Sequence, residues 1–352
     1  MCFERFNNNP IITRADLQVS RDGFEIFGVF NCGAVKVGGE YLLLLRVAER
    51  PTPERDWLNI PLLNETCDDL KIRRIRANAP GIDATDSRVV RLANGRILLT
   101  SISHFRLARS KDGRTFSVDE KPAMFPSTEY ERYGIEDPRI TYLDGQYWIS
   151  YSAISPQGVA TAFASTTDWR SFKRHGIVFA PTDKDVCLFP EKVDGHYVCR
   201  HRPWAEGIGA PAIWTAYSSD LQNWGGHSFT MGPRENHWDE ERVGCGAPPI
   251  HTDEGWLEIY HGANIAGRYC LGAMLSEITQ PARVIGQSEN PVLEPTAEYE
   301  THGVYSPCVF SNGAIEEKDG TLLLYYGAAD TVTAGASATI DDLLNTIERN
   351  GF

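Results

Sequence analysis

Residues 134–139 read Gly-Ile-Glu-Asp-Pro-Arg, two adjacent carboxylates followed by a proline and a guanidinium. In an extended strand successive side chains point to opposite faces, so Glu136 and Asp137 are expected on different sides and Asp137 and Arg139 on the same one. One acid is then available for proton transfer, while its neighbour anchors backbone or a basic residue and Pro138 sets the strand entry. A proton donor must keep its proton near neutral pH, so Asp137 needs a pKa lifted above about 3.9 by burial or nearby negative charge, whereas Arg139 alone lowers it. The same residues equally suit a structural ion pair, Asp137 with Arg139, bracing neighbouring strands.

A basic set lies further along the chain: Lys184 and Lys192 in KDVCLFPEK, Arg202 in HRPW and Arg242 in ERVGCGAPPI. Guanidinium offers paired donors and ammonium a compact charge, which suits phosphate. Each taken singly is best read as a solvated surface charge; the set points to an anion. Tyr133, Trp204, Trp238, Tyr260, Tyr305 and Tyr326 supply flat faces of the kind a sugar stacks on, although packing explains most such rings one by one. There is no HExxH, phosphate loop, dinucleotide fingerprint or GxSxG elbow. The nine histidines lack metal-ligand spacing, so His201 and His261 read as hydrogen-bonding groups, and no metal is expected.

These residues need a scaffold that brings distant segments to one point. Strand-like runs recur as hairpins hinged on glycine: VKVGGEYLLLL, VRLANGRILLT, ITYLDGQYWISYSA, EKVDGHYVCRHRP, IHTDEGWLEIYHG and AIEEKDGTLLLYYG. The turn glycines, Gly39, Gly95, Gly145, Gly195, Gly255 and Gly320, lie 50 to 65 residues apart, the span of a four-stranded propeller blade. Between them ATAFASTTDWRSFKRHG and IWTAYSSDLQNWGG give further strand pairs that turn at Asp168 and Asp220, and IDDLLNTIER reads as a C-terminal helix. The expectation is an all-β propeller, a single catalytic domain over residues 1–352, with its ligand site at the mouth of the central channel. NCG (31–33), DSR (86–88), EDPR (136–139), LFPEK (188–192), GCGAPP (244–249) and YSPCVF (305–310) stand around the hairpins at equivalent places and should converge there.

Composition narrows the partners. The 352 residues, 42% hydrophobic and 23% charged, suit a soluble globular protein with a large core. A formal charge of −13 repels nucleic acid at long range, although a few focused cations still hold a small anion. MCFERFNNNPIITRADLQ lacks a secretory pattern, and no apolar run reaches the roughly 18 residues of a membrane span. The eight scattered cysteines form no CxxC pair and read as reduced, buried hydrophobes, which points to the cytoplasm.

GIEDPRIT, KDVCLFPEK, HRP, GCGAPPI, GWLEIYHG and LLLYYGAADT, in this order along nearly the whole chain, resemble glycoside hydrolase family 130, the β-mannoside phosphorylases and mannosidases. The resemblance implies a five-bladed propeller, so one of the six hairpins, that around Gly39 or Gly95, must share a blade or the closure with another. It also implies inversion at the anomeric carbon of a β-mannoside. Asp137 would be the general acid, acting through the 3-hydroxyl of the bound mannose, and phosphate, already an anion, would attack without a carboxylate base. The products are α-mannose 1-phosphate and the shortened acceptor sugar. Lys184, Arg202 and Arg242 are assigned to phosphate; Arg88, Lys192, His261, Tyr305 and Asp330, the last in GAAD, are assigned to the mannoside. Inorganic phosphate is a co-substrate, and no cofactor is implied.

The family acts on β-1,4 and β-1,2 linkages. The stretch between Arg50 and Arg88 departs from the commonest family pattern and, with SISHFRLARS, is nearest the β-1,2 branch. A β-1,2-mannobiose or mannooligosaccharide is therefore favoured over β-1,4-linked mannooligosaccharides or mannosyl-glucose. Two alternatives stand beside it: a β-mannosidase of the same fold, which would lack the basic set and carry a spare carboxylate, and a non-catalytic sugar-binding propeller. The expected partners are a small oligosaccharide and phosphate, not nucleic acid or a membrane, with assembly into a homo-oligomer left open.

Overall fold

Leu42, Leu43, Leu44 and Leu45 are each at most 1% exposed. A strand covered on both faces reads as a continuous apolar run rather than an alternation, and LLLL is such a run. It lies in an all-β computed structural model that describes residues 2–204 and 207–349; Met1 and 350–352, the ends of the expected domain, lie outside these.

Antiparallel pairing groups the strands into five units of about four. The first comprises Phe24–Val37, Glu40–Pro51 and Ile102–Ser110, with Ser117–Val118 at its edge. The second comprises Gly134–Leu143, Gln146–Ser155, Gly158–Thr166 and Lys173–Phe179. The third runs Asp183–Leu188, Tyr197–Pro203, Ile213–Ser218 and Trp224–Met231. In the fourth the first strand is split into Arg242–Cys245 and Ile250–Thr252, followed by Gly255–Ala263, Tyr269–Ser276 and Val284–Ser288. The fifth, Val309–Glu316, Thr321–Ala328 and Val332–Thr339, gains its fourth strand from the other end of the chain, with Glu4 opposite Ser337 and Arg5 opposite Ala336. A parallel bridge, Gly134 to Ser103, joins the first two units into one sheet.

Apolar clusters fill the spaces between consecutive units: Leu42, Phe105 and Ile149 between the first and second, Phe163 and Leu188 between the second and third, Cys187 and Met274 between the third and fourth, Leu257 and Leu324 between the fourth and fifth. A further cluster packs Leu323 and Tyr325 of the fifth unit against Leu43 and Val47 of the first. At about 1.5–3 kcal/mol for each fully buried large side chain, these interfaces are the main cohesion between units.

Five of the six expected hairpins open a unit. The sixth, at Gly95, belongs to an insertion between the second and third strands of the first unit, where Val89–Arg91 pairs with Ile97–Leu99 beside a second small sheet, Trp57–Leu63 with Leu70–Arg76. The expected helix over 340–349 is shorter than the pattern suggests. Ile340–Leu344 is helical, with Thr339 capping through a bond from the Asp342 amide, and Ile347–Glu348 then adds to the sheet edge at Gln287–Ser288. Asp168 and Asp220 do mark corners: each carboxylate accepts from the amides two and three residues on, and Asp112 repeats the turn in the first unit.

Candidate functional site

The first strand of several units breaks register at an equivalent point: between Phe30 and Gly33, Glu136 and Arg139, Lys184 and Cys187, and Ser311 and Gly313. Asn31, Asp137 and Asp185 adopt φ of 50°, 54° and 57° there. Asn and Asp tolerate this left-handed conformation better than other side chains with a Cβ, because their short polar groups bond locally.

The bulge at Asp137 overturns the expected alternation. Glu136 and Asp137 both face one cavity, and a single guanidinium joins them: Arg46 donates from Nη2 to Glu136 Oε1 at 2.6 Å and from Nη1 to Asp137 Oδ1 at 2.8 Å. Asn31 Nδ2 adds a bond to the same Asp137 oxygen at 2.9 Å. Arg139 turns away and does not pair with the Asp137 carboxylate; it takes the Asp137 carbonyl instead. The ion pair considered from sequence is therefore made by Arg46.

The cavity encloses about 390 Å³. Beyond Asn31, Arg46, Glu136 and Asp137, its wall includes Lys184, Arg242, Tyr269, Tyr305 and Asp330, and the insertion contributes Asp86, Arg88 and Arg91. Arg88 is tied to Asp86 through Nη2 at 2.8 Å, approaches Asp330 at 3.8 Å and lies over the Tyr305 ring at 4.6 Å. Arg242 donates to Glu241 at 2.6 Å and to the Tyr269 hydroxyl at 3.4 Å. Lys184 has no side-chain hydrogen bond or ion pair among the described residues, leaving its ammonium to the cavity.

The three acids differ in how firmly they hold a proton. Burial pushes Asp137 up, but Arg46, Lys184, the Asn31 bond and Arg139 outweigh it and leave the carboxyl below its ordinary value. Burial raises Glu136, Arg46 opposes it, and the negative charge of Asp137 adds to the rise, so Glu136 ends above its ordinary value. Asp330, buried and near the same two carboxylates, is pushed up to about 6 despite Arg46 and Arg88. The expected elevation thus falls on the neighbours of Asp137 and not on Asp137 itself.

Of the residues singled out from sequence, the structure brings Arg88, Asp137, Lys184, Arg242, Tyr305 and Asp330 together. Three do not belong to the wall. Arg202 is 4% exposed and lies in a buried cluster with Asp185, 2.9 Å away, and His261 Nε2 at 3.2 Å. His261 is fully buried and packs on Phe310; burial pushes it down to about 4 although Asp185 pulls the other way. Lys192 sits 3.7 Å from Asp144 and over the Tyr197 ring, at the turn end of the Gly134–Leu143 strand and so away from Asp137. LFPEK was the wrong frame: the third-unit bulge falls at Lys184–Cys187, a few residues earlier.

Arg46, Arg91 and Tyr269 were missed, and Asn31 and Asp86 were seen only as parts of NCG and DSR. Arg46 left a signal, being the lone charge in LLLLRVA, where only a buried partner can justify it. Of the six aromatics weighed for sugar stacking, Tyr305 alone lines the cavity, while Trp238 stacks on Tyr260 and Tyr133 and Tyr326 lie in apolar clusters.

Residues 90–349 match glycoside hydrolase family 130, described as beta-1,4-mannooligosaccharide phosphorylase. A β-1,2-mannobiose phosphorylase of Listeria innocua serovar 6a is 42% identical over 348 residues, covering 98% of each chain. A 1,2-β-oligomannan phosphorylase of Thermoanaerobacter sp. strain X514 is 40% identical over 245 residues, 69% of this chain and 80% of the other. The solved structure of the Listeria innocua β-1,2-mannobiose phosphorylase in complex with β-1,2-mannobiose superposes with a TM-score of 0.95 over 98% of this chain and 99% of that one.

Proposed function

The chain belongs to glycoside hydrolase family 130, and from that premise we propose that it is an inverting phosphorylase: it cleaves a β-mannoside with inorganic phosphate to α-mannose 1-phosphate and the shortened acceptor. A β-1,2-linked mannobiose or mannooligosaccharide is the favoured substrate, because relatives named for that linkage share 37–42% identity with this chain. The observation that carries the reading is the meeting, in one cavity, of the acids Glu136, Asp137 and Asp330 with the cations Lys184, Arg242 and Arg88.

Asp137 is the general acid in this account. Arg46 keeps it ionised before substrate arrives, so sugar binding has to raise it, and a sugar that fills the cavity and expels water does so by desolvation. Glu136 and Asp330, both raised, take up a proton more readily than Asp137 as the pH falls. The proton then passes from Asp137 by way of the mannose 3-hydroxyl to the glycosidic oxygen as phosphate attacks the anomeric carbon. Lys184 and Arg242 hold phosphate, Arg202 being displaced from that role by its place in the buried Asp185 cluster. Asn31, Arg46, Arg88, Tyr305 and Asp330 hold the mannoside.

We read the five units as the blades of a single-domain propeller; the cyclic series of apolar interfaces, ending with the fifth unit against the first, supports this. Six of the eight free cysteines are buried, which suits a reducing compartment, and the cytoplasm remains our reading.

Incubation of β-1,2-mannobiose with the protein, with and without phosphate, tests the proposal. α-Mannose 1-phosphate forming only with phosphate supports it. Equal release of free mannose in both would favour the mannosidase alternative, for which Glu136 or Asp330 offers a base.

A further inference from the structure

Arg139 stands where the first strands of three units meet. It is 2% exposed, and all its nitrogens are engaged. Nε donates to the Gly246 carbonyl at 2.9 Å, Nη2 to the Cys245 carbonyl at 2.7 Å and to Asp185 Oδ1 at 3.2 Å, and Nη1 to the Asp137 carbonyl at 3.2 Å. On its far side Asp185 is gripped by Arg202 at 2.9 Å, with His261 at 3.4 Å, so the guanidinium is itself held in place. Close packing reinforces this: a Cβ on Gly244 would fall 2.8 Å from Asp185 Oδ2, and one on Gly33 would fall 2.9 Å from the Pro138 carbonyl.

The cavity side of Asp137 is fixed by Arg46 and Asn31, which touch its carboxylate. Its backbone is fixed by Arg139. A left-handed residue such as Asp137, at φ 54°, is costly to hold without such support, because relaxation to the ordinary strand conformation swings the side chain to the other face.

We propose that Arg139 is a positioning residue for the phosphorolysis: by holding the Asp137 carbonyl against the first strands of the third and fourth units, it fixes the direction in which the Asp137 carboxylate enters the cavity. The inference rests on the reading of Asp137 as general acid. A lysine cannot substitute, because one ammonium cannot span in-plane acceptors on three strands as a planar fork does.

The test compares Arg139→Lys, Arg139→Ala and Asp137→Asn with the wild type, using β-1,2-mannobiose and inorganic phosphate and counting folded molecules by near-ultraviolet circular dichroism. Arg139→Lys should lower kcat per folded molecule by about 10²-fold, the loss expected from a displacement near 1 Å, with both KM values unchanged. Added guanidinium should restore part of the kcat of Arg139→Ala, which a purely structural role would not produce. Should neither variant fold, Asp185→Asn, which keeps Arg139 but removes its ionic partner, should show the same kcat loss in weaker form. Wild-type kcat per folded molecule in Arg139→Lys would overturn the inference, as would failure of both Arg139 variants and of Asp185→Asn to fold, since the arginine would then serve folding and not placement. Asp137→Asn separates the two readings. If it retains turnover, the acid assignment fails; if it is inactive while Arg139→Lys is fully active, the positioning role alone fails.

Discussion

Residues 126–134, PSTEYERYG, and 295–303, PTAEYETHG, share one plan. In each a buried glutamate is clamped by a tyrosine, an arginine and a backbone amide. Glu131 accepts from the Tyr151 hydroxyl at 2.7 Å, Arg174 Nε at 3.0 Å and the Ser127 amide at 2.8 Å. Glu300 accepts from the Tyr326 hydroxyl at 2.8 Å, Arg5 Nε at 2.7 Å and the Thr296 amide at 2.7 Å. Even the second contact of each guanidinium recurs, Arg174 to the Phe125 carbonyl and Arg5 to the Glu294 carbonyl, both at 2.7 Å. The segments downstream of the two clamps differ. After Glu131 the chain enters its strand at Gly134, so this clamp sets the start of GIEDPR. After Glu300 a longer connection precedes Val309, and its Tyr305 and Cys308 reach the cavity wall. One scaffold leads into the Glu136–Asp137 pair in one unit and into a cavity-lining loop in another; the difference lies in the residues downstream.

The comparison breaks first at the clamps themselves. Glu131→Ala and Glu300→Ala each remove the buried carboxylate on which a tyrosine, an arginine and a backbone amide converge, and should cost about 3 kcal/mol or more in denaturant unfolding. Their kinetic effects should diverge, Glu131→Ala lowering kcat through Asp137 and Glu300→Ala raising KM through Tyr305. Matching kinetic changes in the two would show that the downstream segments do not have separate tasks.

If Arg242 holds phosphate as proposed, Arg242→Ala loses a charge-assisted bond and should raise the phosphate KM roughly tenfold. Arg202→Ala, within the buried Asp185 cluster, should instead lower the unfolding midpoint and leave phosphate dependence alone; a raised phosphate KM there would return Arg202 to the anion site. Tyr305→Ala takes away the ring beneath Arg88 and should raise the mannoside KM by about 2- to 10-fold, the range of a cation–π contact.

The last effect is on pH. Asp330 titrates at about 6 in the fold and at 3.8 when unperturbed, so between these values the folded state binds the extra proton. Its contribution to stability is complete below 3.8 and is lost as pH rises through 6. Asp330→Asn should flatten that part of the stability curve, measured by thermal unfolding at closely spaced pH, and an unchanged slope would contradict the raised pKa.

Much of this was legible in the chain because repetition was. Glycine-hinged hairpins with apolar runs identify the units, and GIEDPR, ERVGCG and GAAD supply wall residues in order. The bulges were not legible, since strand alternation gives no hint that Asp137 is left-handed; that single dihedral put Glu136 on the cavity side and Arg139 on the other. Nor was burial: Arg202 and Arg242 look alike in sequence, yet one faces Asp185 behind the wall and the other the cavity. The paired clamps were present in the letters and overlooked, because their partners, Arg5 and Arg174, lie far from each glutamate in the chain.

The central claim is that Asp137 supplies the proton while phosphate, not water, takes the mannosyl group. Proton and phosphorus NMR of β-1,2-mannobiose with phosphate tests it directly in wild type and Asp137→Asn. The account predicts α-mannose 1-phosphate and mannose in equal amounts from the wild type, and a rate lower by about 10²–10⁴-fold in the variant. β-Configured mannose 1-phosphate, free mannose alone, or an Asp137→Asn variant as fast as the wild type would contradict it.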